Sequence, residues 1–501
     1  MNNMKPYAIG GLDVGTTGAK IALFSVEGKS LATYYKEYDV SRTAGHHEID
    51  FGLVRDGVLA LLKEAAAVYE IGAIGVTSFG ESFVMLDEKD NILAPAMVYT
   101  DTRGVEEIEV LANKVDFDRM IEITGVAPHE MFSIGKILWF KNNRPELFQK
   151  AKKILLGQDF IVYTLTGVRQ IDYSLAARTG AFDIEKKVWS QEVFHAAEVD
   201  PDLLSTPVPT GSVAGGLRPE IREALGIDYD ITVVSAAHDQ LAGMIGSGVF
   251  SAEEAMDGTG TVECIPVILS EKPSPEDADF YDAGYALVPY LDLGYACYAF
   301  SFTGGAMLKW FRDNFAGAEA AEAGEKGVNV YTLLDSRVKD EPTGILALPH
   351  FAGAATPYMN MDAKAAMVGL TLEHNQYDLY KALMEATSYE MRLNFERMKD
   401  YMPEIKALRA TGGGANSDVW LQIKADILGR DVIALKTAEV GAAGSAALAG
   451  VAIGLWPDLP SAVAPMGEVR GVFHPNQENA HYYNRLYSRY ALLYDAVSEI
   501  I

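Results

Sequence analysis

Tyr7-Ala8-Ile9-Gly10-Gly11-Leu12-Asp13-Val14-Gly15-Thr16-Thr17-Gly18-Ala19-Lys20-Ile21-Ala22-Leu23-Phe24 holds two strand-length apolar runs around a short polar turn. The runs are rich in branched residues and predict a β-hairpin. Gly15 and Gly18 let the backbone bend and approach a ligand closely. Thr16 and Thr17 bring hydroxyls beside backbone N–H groups, a combination that suits phosphate. Asp13 ends the first run, where its carboxylate can hold a hydrated magnesium ion. The plainer alternative for the same residues is an ordinary glycine-containing hairpin.

The chemistry of this stretch returns in Ala255-Met256-Asp257-Gly258-Thr259-Gly260-Thr261-Val262-Glu263-Cys264. A carboxylate, glycines and threonines again separate strand-like runs. This predicts two related halves that meet near residue 250, at 1–249 and 250–501, each offering a hairpin to a shared cleft. Chance similarity between two Gly/Thr turns is the alternative. Further glycine-rich turns follow strands at Gly304-Gly305 and at Gly412-Gly413-Gly414.

Between these turns, Gly52–Tyr69 has helical periodicity, and Ile71–Thr77 reads as a buried strand followed by the turn Ser78-Phe79-Gly80-Glu81-Ser82. Residues 104–160 read as mostly helical, 205–216 as loop, and 318–326 as a solvated acidic segment. Ile231–Ala236 is a strand that runs into Ala237-His238-Asp239-Gln240 and a small-residue helix. Asp378–Asp400 and Tyr482–Val497 carry helical patterns. Val440–Trp456, dominated by Gly and Ala, is shorter than the ~20 residues of a membrane-spanning helix and predicts a tightly packed buried one.

The 501 residues carry 42 Lys and Arg against 69 Asp and Glu, a net charge of −27. That charge argues against nucleic acid or an anionic membrane as a partner, while a nucleotide can still be held locally by loops and Mg²⁺. Cys264 and Cys297 are the two cysteines, too few for a disulfide framework, and they fit a reducing cytoplasm. No signal peptide is evident at the N-terminus.

Several nucleotide and metal signatures are missing. Gly28-Lys29-Ser30 mimics the end of a P-loop, but Leu23 stands where its first glycine belongs. No G-x-G-x-x-G follows a strand. His46-His47-Glu48 reads as exposed polar residues rather than a metal cluster. The scattered turns instead match the parts of phosphoryl transfer: positioned donors, a metal, and a base near the acceptor hydroxyl. Asp239, between a strand and a helix, is the candidate base; helix capping is its other reading.

The chain resembles the FGGY carbohydrate kinases, the family of glycerol kinase, xylulokinase, gluconokinase and fuculokinase. Met131-Phe132-Ser133-Ile134-Gly135-Lys136-Ile137-Leu138-Trp139-Phe140-Lys141-Asn142-Asn143 fits the first family signature. Ala365–Glu385 follows the second, departing at Leu383. The resemblance implies an α/β fold of two actin-like, ribonuclease-H-type domains closing on a cleft, with ATP mainly on the second domain and sugar on the first. It implies phosphate contacts by Thr16, Thr17 and Gly18, with Mg²⁺ at Asp13. It places Thr259 and Gly260 by the γ-phosphoryl group, Gly305 by the nucleotide, Gly414 and Asp418 by the nucleoside, and Asp239 as catalytic base.

The same resemblance places substrate contacts at Glu81, Met131 and Gln240. Gly80 replaces the arginine of the Arg-Glu pair of glycerol kinases, and the Met-His of xylulokinases is missing. Met131 stands where glycerol kinase has a tyrosine. Asp101 and Arg103 match a family Trp-x-Asp-x-Arg pattern and are expected to be structural. The expected acceptor is a ketose (xylulose- or fuculose-like) or a polyol, in a cytoplasmic enzyme for which a homodimer is one expected assembly. The competing readings are a non-catalytic actin-like ATP-binding protein and a phosphatase on the same fold.

Overall fold

The computed structural model describes residues 5–43 and 46–500. The opening stretch forms the expected hairpin: β1 (Tyr7–Val14) pairs antiparallel with β2 (Gly18–Phe24), with Asp13 opposite Lys20. β3 (Ser30–Glu37) extends the meander, and β4 (Glu70–Ser78) lies parallel on the other side of β1. β5 (Ser212–Gly215) and β6 (Thr232–His238) complete a six-stranded sheet of order β5-β6-β4-β1-β2-β3. The central strands are buried on both faces, which explains their near-continuous apolar runs.

The second half repeats this plan. β7 (Glu254–Thr259) pairs antiparallel with β8 (Glu263–Leu269). β9 (Leu287–Pro289), β10 (Tyr295–Ser301), β11 (Ala407–Thr411), β12 (Asp431–Leu435) and β13 (Val469–Phe473) complete a sheet of order β9-β10-β8-β7-β11-β12-β13. β7 sits between an antiparallel β8 and a parallel β11, as β1 sits between an antiparallel β2 and a parallel β4. The Asp-Gly-Thr turns therefore occupy equivalent places in two similar sheets.

Helices cover the sheets. α1 (Phe51–Val68) is capped by Asp50, whose carboxylate accepts from the Gly52 N–H, and buries Phe51, Val54, Val58, Leu61 and Leu62 along one stripe. α2 (Ser133–Asn143) carries the first family signature, α3 (Asp239–Ser247) follows β6, and α4 (Asp418–Leu428) follows the triple glycine. α5 (Val440–Ala452) is the buried small-residue helix anticipated from its composition. It comes from the second half of the chain yet packs on β1, β4 and α3 of the first. A Cβ on Gly246 would fall 1.9 Å from the Val440 carbonyl oxygen, and one on Gly444 1.9 Å from that of Ala242. α3 and α5 thus cross backbone against backbone, an approach that only glycine permits.

Three local readings are corrected. Residues 205–216 contain two short strands, Thr206–Val208 and β5, because an edge strand tolerates Pro, Gly and Ser where one side of its ladder is open. Residues 318–326 lie in a helix, Gly317–Lys326. Most of it is exposed as expected, but Glu319 is buried, accepting from Arg337 at 2.8 Å and Tyr377 at 2.6 Å. The C-terminal pattern is two helices, Gln477–Tyr490 and Leu493–Ser498. Among the described residues no helix is long and apolar enough to cross a membrane.

Candidate active site

A cavity of about 370 Å³ opens between the two sheets. Glu81, Met131, Asp239 and Gln240, four residues anticipated from sequence, all line it, facing Val262, Cys264 and Tyr298 of the second half. Asp239 is the first residue of α3, and the N–H of Gln240 donates to its Oδ1 at 2.6 Å. About a third of its side chain, 32%, is exposed in the cleft. Burial nevertheless pushes its carboxyl up to about 6, against the opposing pull of the Gln240 N–H and of Arg178. Such a group is ionised at neutral pH and still able to take a proton, as a general base requires. His238 Nε2 lies 3.3 Å from Asp239 Oδ1. Burial and then the Arg178 charge push the imidazole down to about 3, so it faces Asp239 as a neutral ring.

Glu81 sits in the turn after β4 with φ +64°, and Ser133 Oγ of α2 donates to its carbonyl at 2.6 Å. Its carboxylate is not alone. Arg178 Nε donates to Glu81 Oε1 at 2.6 Å, and Nη2 contacts the same oxygen. Arg178 was not anticipated. It follows the short buried helix Tyr173–Ala177, and a lone cation after Leu175-Ala176-Ala177 is the one signal that marks it. A Cβ at Gly80 would lie 3.1 Å from Arg178 Cγ and 3.2 Å from the His238 ring. The place next to Glu81 that Gly80 leaves open is therefore filled by an arginine from another segment.

Asp101 and Arg103 pair with each other at 2.6 and 2.8 Å outside the cavity lining, and Asp101 Oδ2 also accepts from the His47 N–H. Buried Lys136 ties the carbonyls of Asp101 and Glu130 together, so the family signature builds the wall that carries Met131. His46, His47 and Glu48 form no metal cluster; among the described residues no group of three or more His, Cys, Asp or Glu is placed to hold a metal.

Beside Asp239 lies the first turn. Its carbonyls are occupied: Gly15 O by Tyr38 Oη at 2.7 Å, Thr17 O by Tyr38 N–H at 3.1 Å, and Gly18 O by Gly15 N–H at 2.9 Å. Thr16 is half-buried and Thr17 exposed. Asp13 is pushed up to about 7, first by burial and then by facing Asp239, against the pull of Lys20. Lys20 is itself paired with Glu439 at 2.5 Å. A Cβ on Gly441, at the start of α5, would be 3.3 Å from Asp13 Oδ2 and 3.9 Å from the Asp239 carbonyl oxygen. Two electrostatically coupled carboxylates with their cation already shared fit a hydrated divalent ion.

The second turn is built differently. Asp257, Thr259, Glu263 and Lys424 are all buried. Lys424 Nζ contacts Asp257 Oδ2, lies 2.9 Å from Glu263 Oε1, and donates to Thr259 Oγ1 at 2.6 Å. Thr259 Oγ1 donates in turn to Asp257 Oδ1 at 2.8 Å. The Thr259 hydroxyl is thus held inside the domain, and the next residue, Gly260, reaches the cleft. Gly260, Gly305 and Gly414 line a second cavity of about 300 Å³, with Asn329, Tyr331 and Asp335, which the sequence did not reveal. Asp418 does not line it; its carboxylate pairs with Arg470 at 2.6 Å on the surface. Gly260 lines the second cavity and Val262 the first, so the β7–β8 turn is the wall between them.

The sequence profile of the FGGY family of carbohydrate kinases, N-terminal domain, matches residues 8–246, and that of its C-terminal domain matches residues 258–453. A xylulose kinase of Bacillus subtilis (strain 168) is 26% identical over 503 residues, covering 99% of this chain and 98% of the relative. A gluconokinase of the same organism is 29% identical over 454 residues, covering 89% and 87%. The crystal structure of gluconate kinase from Lactobacillus acidophilus superposes with a TM-score of 0.88 at 25% identity, covering 98% of each chain. With both halves matched in order and the two-sheet cleft in place, the chain belongs to the FGGY family of carbohydrate kinases.

Proposed function

We propose that the protein transfers the γ-phosphoryl group of ATP to a hydroxyl of a ketose (xylulose- or fuculose-like) or a polyol. The observation that carries this reading is the single turn that divides the two cavities. Residues 260–262 put one face on the cavity of Asp239 and the other on the cavity of the glycine turns. An acceptor on one side and a nucleotide on the other would meet across that turn.

Glu81 and Gln240 would hold acceptor hydroxyls, with Met131 against the carbon chain. Asp239 orients the attacking hydroxyl and receives its proton late, as a loose transition state requires. Thr16, Thr17 and Gly18 supply phosphate contacts, as do the main-chain groups of Thr259 and Gly260. Gly305 and Gly414 border the nucleoside. Mg²⁺ held through water at Asp13 would neutralise charge developing between the phosphates. The domains would divide at residues 1–249 and 250–501, with α5 returning to the first sheet as the hinge. The relatives' names offer both a neutral sugar and a sugar acid as acceptor. A non-catalytic ATP-binding protein has no use for a half-buried carboxylate poised near 6 in a cavity separate from that of the glycine turns.

The test is Mg-ATP-dependent ADP release across ketoses, polyols and aldonates, with Asp239→Asn as control. At least one acceptor is expected to stimulate release. Activity in the variant equal to wild type would remove Asp239 from the mechanism.

A further inference from the structure

The acceptor cavity is acidic. Among the described residues its lining carries Glu81, Arg178, Asp239 and Asp282, one cation against three carboxylates, while burial holds the lining His129 below the usual imidazole range. That one cation is committed. Arg178 is 6% exposed, bonded through Nε and Nη2 to one oxygen of Glu81. Its guanidinium lies 5.0 Å from the Phe132 ring and 5.7 Å from that of Tyr298. His238 adds no charge, because burial and the guanidinium hold it neutral.

We propose that the Glu81–Arg178 pair determines the specificity of this site: Glu81 cancels the guanidinium charge, so the lining is net negative among the described residues, the acceptor is a neutral ketose or polyol and sugar acids are excluded. This rests on the kinase reading above and narrows its substrate class. A carboxylate entering the cavity would join Asp239 and Asp282 beside a single guanidinium that Glu81 already pairs, and like-charge juxtaposition inside a cleft is heavily penalised. A hydroxyl is both donor and acceptor. It can give its proton to the Glu81 carboxylate and accept from Arg178 Nη1, a buried nitrogen that has no hydrogen-bond partner among the described residues. A buried donor of this kind gains most from a partner that costs no further charge. Gly80 is part of the device, since a side chain there would crowd the path Arg178 takes to Glu81.

The experiment measures ADP release by the full-length protein with two acceptor sets. One set is neutral (xylulose, ribulose, fuculose, xylitol) and the other acidic (gluconate, xylonate). The best neutral acceptor is expected to exceed the best acid in kcat/KM by about 100-fold. Glu81→Gln keeps the shape and releases the guanidinium charge; it should move the acid-to-neutral ratio about tenfold toward the acid. Arg178→Met should raise KM for the neutral acceptor more than it lowers kcat, and Arg178→Lys should recover part of that loss. Thermal unfolding checks that each variant folds, and if Arg178→Met does not, the Glu81→Gln ratio decides alone. A wild-type preference for an acid, or an unchanged ratio in Glu81→Gln, overturns this inference while the kinase reading stands. No ADP release with either set overturns the kinase reading, and this inference with it.

Discussion

The two hairpins at the heart of the molecule have nearly the same local sequence and opposite fates. Asp13 and Asp257 each sit near the end of the first strand of an antiparallel pair, with a parallel strand on the other side. Asp257 is locked from both oxygens, by Lys424 and by Thr259. Asp13 faces another carboxylate across the start of α5, and its cation Lys20 is shared with Glu439. One hairpin is a finished electrostatic unit, and the other is incomplete until something cationic arrives. The same motif is left open in one lobe and locked in the other, and the neighbours supplied by distant helices make the difference.

The comparison can be broken by mutation. The largest expected effect lies on the open side. Asp13→Asn and Asp239→Asn should each lower kcat/KM by about 10³-fold or more, in line with loss of a positioned charge at a phosphoryl-transfer site. Purified variants assayed at saturating Mg-ATP check this. Retention of wild-type kcat/KM in Asp13→Asn would mean that the first turn is as closed as the second.

On the locked side the effect should fall on stability. Lys424→Met strands two buried carboxylates, and breaking a buried ion pair from one side costs about 3–5 kcal/mol. Denaturant unfolding measures it. A loss below about 1 kcal/mol would show that the Asp257 cluster carries no such load. Next in size is Gly444→Val, which forces α3 and α5 apart and should cost about 1–3 kcal/mol by overpacking. It should also lower activity, because Asp13 and Asp239 both border α5.

Acidity sharpens the comparison with the smallest shifts. With Asp239 as the proposed base, kcat/KM should fall as pH drops through about 6. Stability runs the other way. The folded values of Asp239 and Asp13, about 6 and about 7, lie above the ordinary 3.8. Their contribution is therefore full below that ordinary value and is lost as pH rises through 6 and 7. Asp239→Asn should consequently melt higher than wild type at pH 8, by roughly 1–3 °C, while being inactive. Lys424 has the same sign but a far more alkaline window. Burial alone would lower it, but Asp257 and Glu263 outweigh burial and hold it above its usual value, so its contribution persists to strongly alkaline pH.

Much of the architecture was legible because periodicity and turn chemistry are local. The hairpins, the β6–Asp239–α3 junction and the buried small-residue helix follow from patterns a few residues long. The substrate side was legible through family motifs, which placed Glu81, Met131, Asp239 and Gln240 around one cavity. Arg178 escaped because its partner is 97 positions away. Asp418, expected by the nucleoside, pairs with Arg470, and the Thr259 hydroxyl is held by Lys424, again through long-range contacts.

The chain by itself thus determined two hairpins with phosphate-suited turns, a strand-to-helix aspartate and a carbohydrate-kinase signature. Each is a property of neighbouring residues. Only the tertiary structure decided which aspartate stays open, which arginine answers Glu81, and that α5 returns to hold the two lobes together. Those outcomes depend on which charges share a buried volume, and charge pairing in a low-dielectric interior is set by distance in space rather than by order along the chain.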